Sequence, residues 1–222
     1  MPLSDKITQN ISKEIELDQD KYEIINYGAK VLIQFIISSF FIAVFGLLTG
    51  VLVEAFIVTF TSSILRQASG GIHASRPSIC IFVGTVVAIG LALLSKLLAN
   101  YSVNSDIILY IYAFITVILF AFSFYTIYNK VPVDSKAKPI NSEKKKKRMK
   151  RNSYVIVTFY LVIMLILTIA FIVKPNVNIL TYLLCICGGL AFQVFTLTIA
   201  GHFLLGNFDR VVNSILFSKG GE

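Results

Sequence analysis

The chain has 222 residues, of which 56% are hydrophobic and only 14% are charged. Ordinary soluble domains carry about 25% charged residues. The low charged fraction of this chain, together with its mean hydropathy of +0.78, therefore excludes such a domain. A net charge of +8 would suit a nucleic-acid binder, but long apolar runs exclude a free-standing one, and we expect no nucleic-acid partner. The three cysteines lie within or beside apolar runs, so they do not form the disulfide framework of a secreted protein.

Residues 1–30 are polar and mixed in charge, without the apolar core or cleavage site of a signal peptide. Apolar side chains recur there at helical spacings, at Ile7, Ile11, Ile15, Tyr22 and Ile25. This pattern predicts an amphipathic helix that lies along the lipid headgroups or packs on the cytoplasmic face of the protein itself. We therefore divide the chain into this N-terminal segment and a single integral-membrane domain over residues 31–222.

Nearly uncharged runs predict the membrane passes; they cover residues 31–65, 79–95, 107–128, 154–173 and 179–205. The first run is too long for one pass, and Gly46, Thr49 and Gly50 mark a turn that divides it into two. Six passes place 18 of the 20 Lys and Arg residues on one side, which is then the cytoplasmic side and holds both termini. The second pass, residues 51–65, would be only about 22 Å long, so we expect it to be short or re-entrant. The predicted fold is all-α and polytopic.

The 129–153 loop differs in composition from the rest of the chain, because it leads through Pro132 and Pro139 into a run of basic residues. The core of this run is Lys144, Lys145, Lys146, Lys147 and Arg148. The run is typical of a topology determinant that touches anionic lipid. The alternative interpretation is a docking site for an acidic peptide segment, and the sequence leaves both open.

Polar residues inside apolar runs are costly in hydrocarbon and therefore need an explanation. Gln34 and Gln193 are explained as hydrogen-bond partners between helices. His202 lies near the end of the last run, where we expect a structural role near the interface. Glu54 lies near the outer end of the short second pass, where its carboxylate can reach water.

Cys185 and Cys187 are two residues apart in an apolar helix, so their side chains point about 200° away from each other. They cannot share a metal ion without unwinding the helix, and we interpret them as small apolar side chains of the core. We expect neither a metal nor another cofactor in this protein.

The loop RQASGGIHASRPSIC, residues 66–80, contains the strongest candidate for chemistry. Pro77 suits the first position of a helix, with Arg76 or Ser75 as its cap. Cys80 then falls at about the fourth helical residue, where the positive end of the helix dipole favours a thiolate. Arg76, one turn earlier, adds positive charge.

A thiolate beside an imidazole is the minimal set of groups for nucleophilic cysteine catalysis, which makes Cys80 the candidate nucleophile and His73 the candidate base. On one continuous helix their Cα atoms would be about 10 Å apart, so the loop must fold back. Gly70 and Gly71 provide the backbone freedom for this, and their amides are candidates for an oxyanion hole.

This loop resembles the active-site motif of the accessory gene regulator B family, the membrane cysteine endopeptidases of Gram-positive quorum-sensing systems. The family pattern, R-x-x-x-G-G-x-H-A followed by a cysteine seven residues after the histidine, is met by Arg66, Gly70, Gly71, His73, Ala74 and Cys80. A second stretch, VPVDSKAKPI at residues 131–140, resembles the Pro-Val-Asp and Lys-Pro segment that precedes the family's basic run.

The resemblance implies a substrate, a short membrane-associated propeptide with an amphipathic helix and an acidic C-terminal tail. Cys80 would attack the carbonyl before that tail, with His73 as general base and then acid, and a Cys or Ser of the propeptide would take the acyl group to close a thiolactone or lactone. The resemblance also implies a homodimer in the cell membrane of a Gram-positive bacterium. Arg66 would hold the tail or orient the loop, unless it only extends its charge to the interface.

Two other functions compete with the peptidase. A transporter or exporter of a peptide or ion would use Glu54 and His202 on its path, although such proteins more often show internal repeats. A purely structural scaffold would tolerate changes at both His73 and Cys80. The third catalytic residue is not determined by the sequence, since nothing selects among Gln67, Ser69 and Ser75.

Overall fold

A computed structural model of the chain describes residue 9 and residues 18–71, 76–103, 105–133 and 142–217. Within these residues the fold is all-α, as predicted, and contains no β-strand. The described helices, in chain order, are α1 (Gln19–Thr49), α2 (Leu52–Ser69), α3 (Pro77–Ser102), α4 (Asp106–Lys130), α5 (Glu143–Val173), α6 (Val177–Thr196) and α7 (Ile199–Phe217).

Five of the described helices are long and apolar enough to cross a membrane. The candidate spans are Lys21–Thr49, Pro77–Ser102, Ile107–Lys130, Glu143–Val173 and Val177–Thr196. The shortest has 20 residues, which at helical rise is about 30 Å, the thickness of the hydrocarbon core. In α1 and α4 only 11% of the most apolar 18-residue stretch is buried, and a surface this apolar is covered favourably by lipid or by another apolar protein surface. The chain is a polytopic membrane protein.

The first apolar run divides at Gly50, as the sequence predicted. Gly50 has a φ of +68°, and the following amide of Val51 donates to the carbonyl of Gly46 at 2.9 Å while Gly50 N donates to Leu47 O at 3.2 Å. This pair of bonds closes a helix end around a left-handed residue, the conformation that glycine adopts most readily. Lys96 of α3 donates its Nζ to the Gly50 carbonyl at 2.8 Å, so the turn is also tied to a third helix.

Helix α2 corresponds to the short second pass that the sequence predicted over residues 51–65. It has 18 residues, or about 27 Å at helical rise, and extends four residues beyond the predicted end at 65. It is not among the five candidate spans, because it carries Glu54 in its first turn and Arg66 in its last. That α2 is short is confirmed, and the alternative that it is re-entrant stays a prediction.

The last apolar run, predicted as one pass over 179–205, is two helices. Helix α6 ends at Thr196 and α7 begins at Ile199. Thr198 explains the break: its hydroxyl accepts from Gly201 N at 3.1 Å and donates to Phe195 O at 2.7 Å, which caps the new helix and satisfies the old one. A Cβ at Gly201 would collide with the Phe195 carbonyl, so α7 folds back closely against the end of α6.

Helix α6 lies at the centre of the bundle. It packs against α2, α3, α4, α5 and α7. In its most apolar 18-residue stretch 56% of the residues are buried, compared with 11–28% in the other four spans. At Gly189 a Cβ would lie 2.7 Å from the Val58 carbonyl oxygen, so the α2 and α6 backbones are almost in contact. Small residues at helix interfaces permit such close packing in membranes.

Residues 19–30 continue without a break into the first apolar helix. The remainder of the predicted amphipathic segment, residues 1–8 and 10–17, lies outside the described residues. The separation of residues 1–30 from the membrane domain therefore stays a prediction.

We expect Gly50→Ala to destabilise the protein by about 1 kcal/mol, because a side chain opposes the left-handed conformation of the turn. Gly28→Ala is the matched control, since a Cβ there meets nothing within 4 Å and alanine favours a helix by up to about 1 kcal/mol. Thermal unfolding in detergent micelles measures both. Equal unfolding midpoints for the two variants would contradict this account of the turn.

Candidate active site

Cys80 lies in the first turns of α3, as predicted. Pro77 is the first residue of the helix, and Arg76 is the N-cap with extended backbone angles of −131° and 143°. The Cys80 amide donates to the Arg76 carbonyl at 3.3 Å, which is the first hydrogen bond of the helix. The Cys80 side chain is partly exposed, so a water-borne or peptide reactant can approach its sulfur.

The glycine pair adopts backbone angles that other residues rarely reach. Gly70 has φ 77° and ψ −153°, a region that is almost exclusive to glycine, and Gly71 has φ 141°. The Gly70 amide donates to the Arg66 carbonyl at 2.9 Å and ends α2. It is therefore engaged, which leaves Gly70 a loop-shaping role, whereas the Gly71 amide makes no hydrogen bond to any described residue.

The segment 131–133 packs directly against this turn. Val133 N donates to Ser69 O at 3.0 Å, and Gly70 and Val133 form an isolated parallel bridge. A Cβ at Gly70 would collide with the Val133 carbonyl oxygen, so only glycine permits this approach. Two stretches that the sequence singled out separately are thereby in contact, although about 60 residues separate them. Residues 134–140 of the second stretch lie outside the described residues.

Gln193 of α6 completes the enclosure of the turn. Its side chain is fully buried, and its Nε2 donates to Ser69 Oγ at 3.1 Å and to the Gly70 carbonyl at 2.9 Å. The expected hydrogen bond between helices is confirmed. Its partner is the end of α2 that leads into the candidate site, and nothing in the sequence except a polar residue in an apolar run indicated that connection.

His73 lies within residues 72–75, outside the described residues. Its pairing with Cys80 therefore stays a prediction, as does any catalytic role of Ser75. The described residues fix the two ends of this stretch, the glycine pair packed on α6 and Arg76 at the start of α3.

The basic run forms the beginning of α5. A surface cavity of about 520 Å³ is lined by Ser142, Lys144, Lys145, Lys147, Arg148 and Arg151. Lys146 instead pairs with Glu143 at 2.8 Å, and Lys150 donates to the Tyr128 carbonyl at 2.6 Å. Four of the five residues at the core of the run thus face a common open cavity.

The remaining polar candidates lie in separate parts of the bundle. Cys185 is fully buried and packs with Val58 and Ala88, whereas Cys187 approaches Thr116 Oγ1 at 3.5 Å. They face different neighbours, as their spacing predicted. His202 Nδ1 lies 2.9 Å from the Thr198 carbonyl oxygen, which fixes the ring at the start of α7 and fits the structural role expected of it.

Comparison with known proteins assigns the chain to a family whose matched region contains most of the residues described above. A model of the family described as accessory gene regulator B matches residues 4–197, a range that includes the glycine pair, Cys80 and Gln193. The chain belongs to the accessory gene regulator B family. Membership supports a role in the processing of accessory gene regulator autoinducers.

Similar sequences extend over nearly the whole chain. The "Putative AgrB-like protein" of Clostridium perfringens strain SM101 is 37% identical over 214 residues, covering 96% of this chain and 98% of its own length. The "Putative AgrB-like protein 2" of strain 13 is 36% identical over 220 residues, with the same coverage. A "Putative AgrB-like protein" of Listeria innocua is 25% identical over 157 residues, covering 70% and 72%. No solved structure matches the chain.

We expect a water-soluble maleimide to label Cys80 at least tenfold faster than Cys185 or Cys187 at neutral pH. The reason is access to water. Cys80 is partly exposed in the first turns of α3 and Cys185 is enclosed by α2 and α3, whereas Cys187, although also partly exposed, lies within the membrane span Val177–Thr196, where a water-soluble reagent does not reach it. Mass spectrometry of tryptic peptides after timed labelling in liposomes gives the three rates. Comparable rates for Cys80 and Cys187 would contradict the placement of Cys80 at a reactive site.

Proposed function

We propose that this protein is a membrane-embedded cysteine endopeptidase that removes the C-terminal tail of a small signalling propeptide and allows the remainder to cyclise. The observation that carries the proposal is the position of Cys80, partly exposed in the first turns of α3. Cys80 comes shortly after the glycine turn in the chain, and this turn packs against α6 and residues 131–133. Membership in the accessory gene regulator B family supports the same function.

In the first half of the proposed reaction, the Cys80 sulfur attacks the carbonyl carbon before the tail, and His73 takes the thiol proton. The carbonyl oxygen becomes an oxyanion, for which the Gly71 amide, which no described residue engages, is the candidate donor. When the C–N bond breaks, His73 returns the proton to the leaving amine. The tail departs as a free peptide and the propeptide remains attached to Cys80 as a thioester.

In the second half, the thiol or hydroxyl of an internal Cys or Ser of the propeptide attacks this thioester. Its proton passes through His73 to the Cys80 sulfur, which leaves as the restored thiol, and a thiolactone or lactone ring is closed. Exchange of one thioester for another is close to isoenergetic, whereas a thiolactone formed from an amide lies uphill. The enzyme must therefore keep water away from the thioester, which a site recessed at the membrane boundary favours.

The proposed arrangement in the cell is that both termini and the loop with Cys80 face the cytoplasm of a Gram-positive bacterium. Eighteen of the 20 basic residues then lie on that side, as the positive-inside rule requires. The basic run at the start of α5 contacts anionic lipid or the acidic tail of the propeptide, and Arg66 and Arg76 position the tail and loop. The proposed assembly is a homodimer.

We expect purified protein in liposomes to convert a candidate propeptide into a tail-free product 18 mass units lighter than the linear fragment, which indicates ring closure. Mass spectrometry should find no product with Cys80→Ala or His73→Ala, because each removes a group that the chemistry requires. Cys187→Ala and His202→Ala are matched controls and should retain most of the activity.

Product formed by Cys80→Ala would overturn the assignment of the nucleophile. Intact propeptide with the wild type, combined with a Cys80 no more reactive than Cys187, would instead favour the transporter.

We expect reversal of Lys144, Lys145, Lys147 and Arg148 to glutamate to lower processing about tenfold or more at low salt, because the lining of the cavity would then repel an acidic tail. Alkylation of Cys80 should not change. A propeptide whose tail carboxylates are replaced by lysine should restore processing in this variant. Unchanged processing in a correctly inserted variant would contradict docking of the tail at this run.

A further inference from the structure

Packing of the bundle alone does not require a polar side chain at Gln193. Gln193 is one of the largest fully buried side chains described, at 0% exposure. Its Oε1 has no hydrogen-bond partner among the described residues. A buried carbonyl oxygen left in this state costs about 1–3 kcal/mol, and the two hydrogen bonds that the amide nitrogen donates to the end of α2 offset this cost.

The orientation of the Gln193 amide is fixed by its partners. The Gly70 carbonyl can only accept a hydrogen bond, so the NH₂ group must face it at 2.9 Å. The Ser69 hydroxyl donates to the Leu65 carbonyl at 2.9 Å, which leaves its oxygen to accept the second amide hydrogen at 3.1 Å. Both hydrogens of Gln193 are therefore used on two successive residues at the end of α2.

These bonds determine the path of the chain beyond α2. Gly70 is held through its amide by Arg66 and through its carbonyl by Gln193, so both of its flanking peptide planes are fixed. A Cβ at Gly71 would lie 3.2 Å from Thr196 Oγ1 and 3.5 Å from Gln193 Nε2, which places the second glycine on the same face of α6. The next two residues lead to His73.

We propose that Gln193 is a positioning residue for the peptidase reaction. It holds the Ser69–Gly71 turn against α6 and thereby fixes the point from which the chain runs on to His73, two residues after Gly71. This inference rests on the proposed function, in which His73 is the base. Gln193 acts through the turn and does not touch the reacting atoms.

The test compares three Gln193 variants with one control in liposomes. Gln193→Leu removes both donors and keeps the volume, and Gln193→Asn keeps the amide but is one methylene too short to reach Gly70. We expect kcat to fall on the order of 100-fold in both, with little change in KM, because the base is misplaced by about 1 Å while the propeptide still binds. The rate of Cys80 alkylation at neutral pH should fall in parallel.

Gln193→Glu provides a readout that a purely structural role would not produce. A protonated carboxyl can donate to the Gly70 carbonyl, whereas a carboxylate there would repel it. Burial favours the neutral form, so activity of this variant relative to wild type should be partly restored at low pH and decline as pH rises. The Gln193→Leu variant should show no such pH dependence. If Gln193→Leu does not fold, the pH dependence of the Gln193→Glu variant still tests the proposal.

Tyr160→Phe is the matched control, because Tyr160 also makes a buried hydrogen bond to α2, from its hydroxyl to the Thr61 carbonyl at 2.9 Å, but far from the turn. It should lower the unfolding midpoint and leave kcat within about threefold of wild type. A Gln193→Leu enzyme with kcat near wild type, or one whose loss matches that of Tyr160→Phe, would overturn the proposal. Processing that persists in Cys80→Ala would instead overturn the proposed function itself.

Discussion

The backbone at the end of α2 must satisfy its polar groups inside a protein surrounded by lipid, and the candidate site depends on how it does so. In a membrane, non-helical backbone is tolerated only where the protein supplies its hydrogen-bond partners. At this turn the partners come from three directions: the preceding helical turn through Arg66, the segment after α4 through Val133, and the central helix through Gln193. The glycine pair is therefore a rigid start to the site loop.

Close packing of α2 on α6 makes this enclosure geometrically possible. The absence of a side chain at Gly189 lets the two backbones approach, and Gln193 lies one helical turn further along the same helix. A glutamine can then reach across to the last residues of α2. The glycine turn at the end of α2, the Pro-Val stretch and the central helix thus form one unit, although they are distant in sequence.

Local signals in the sequence predicted local features well. Pro77 fixed the start of α3 and so the register of Cys80, and Gly50 fixed the division of the first apolar run. The break after Thr196 was missed because hydropathy continues past it; a single threonine that caps α7 determines it. The contacts of the glycine turn with Val133 and Gln193 could not be derived, since they join residues about 60 and 120 positions apart that only helix packing brings together.

The attachment of Gly50 to Lys96 has a mechanical consequence. Helix α2 is pinned to α3 at the end remote from Cys80 by this contact, and to α6 at the end near Cys80 by Gln193. Movement of α2 relative to α3 or α6 breaks one of these two hydrogen bonds. In the proposed reaction, entry of the propeptide and release of the ring are therefore expected to shift the elements around α2 more than α2 itself.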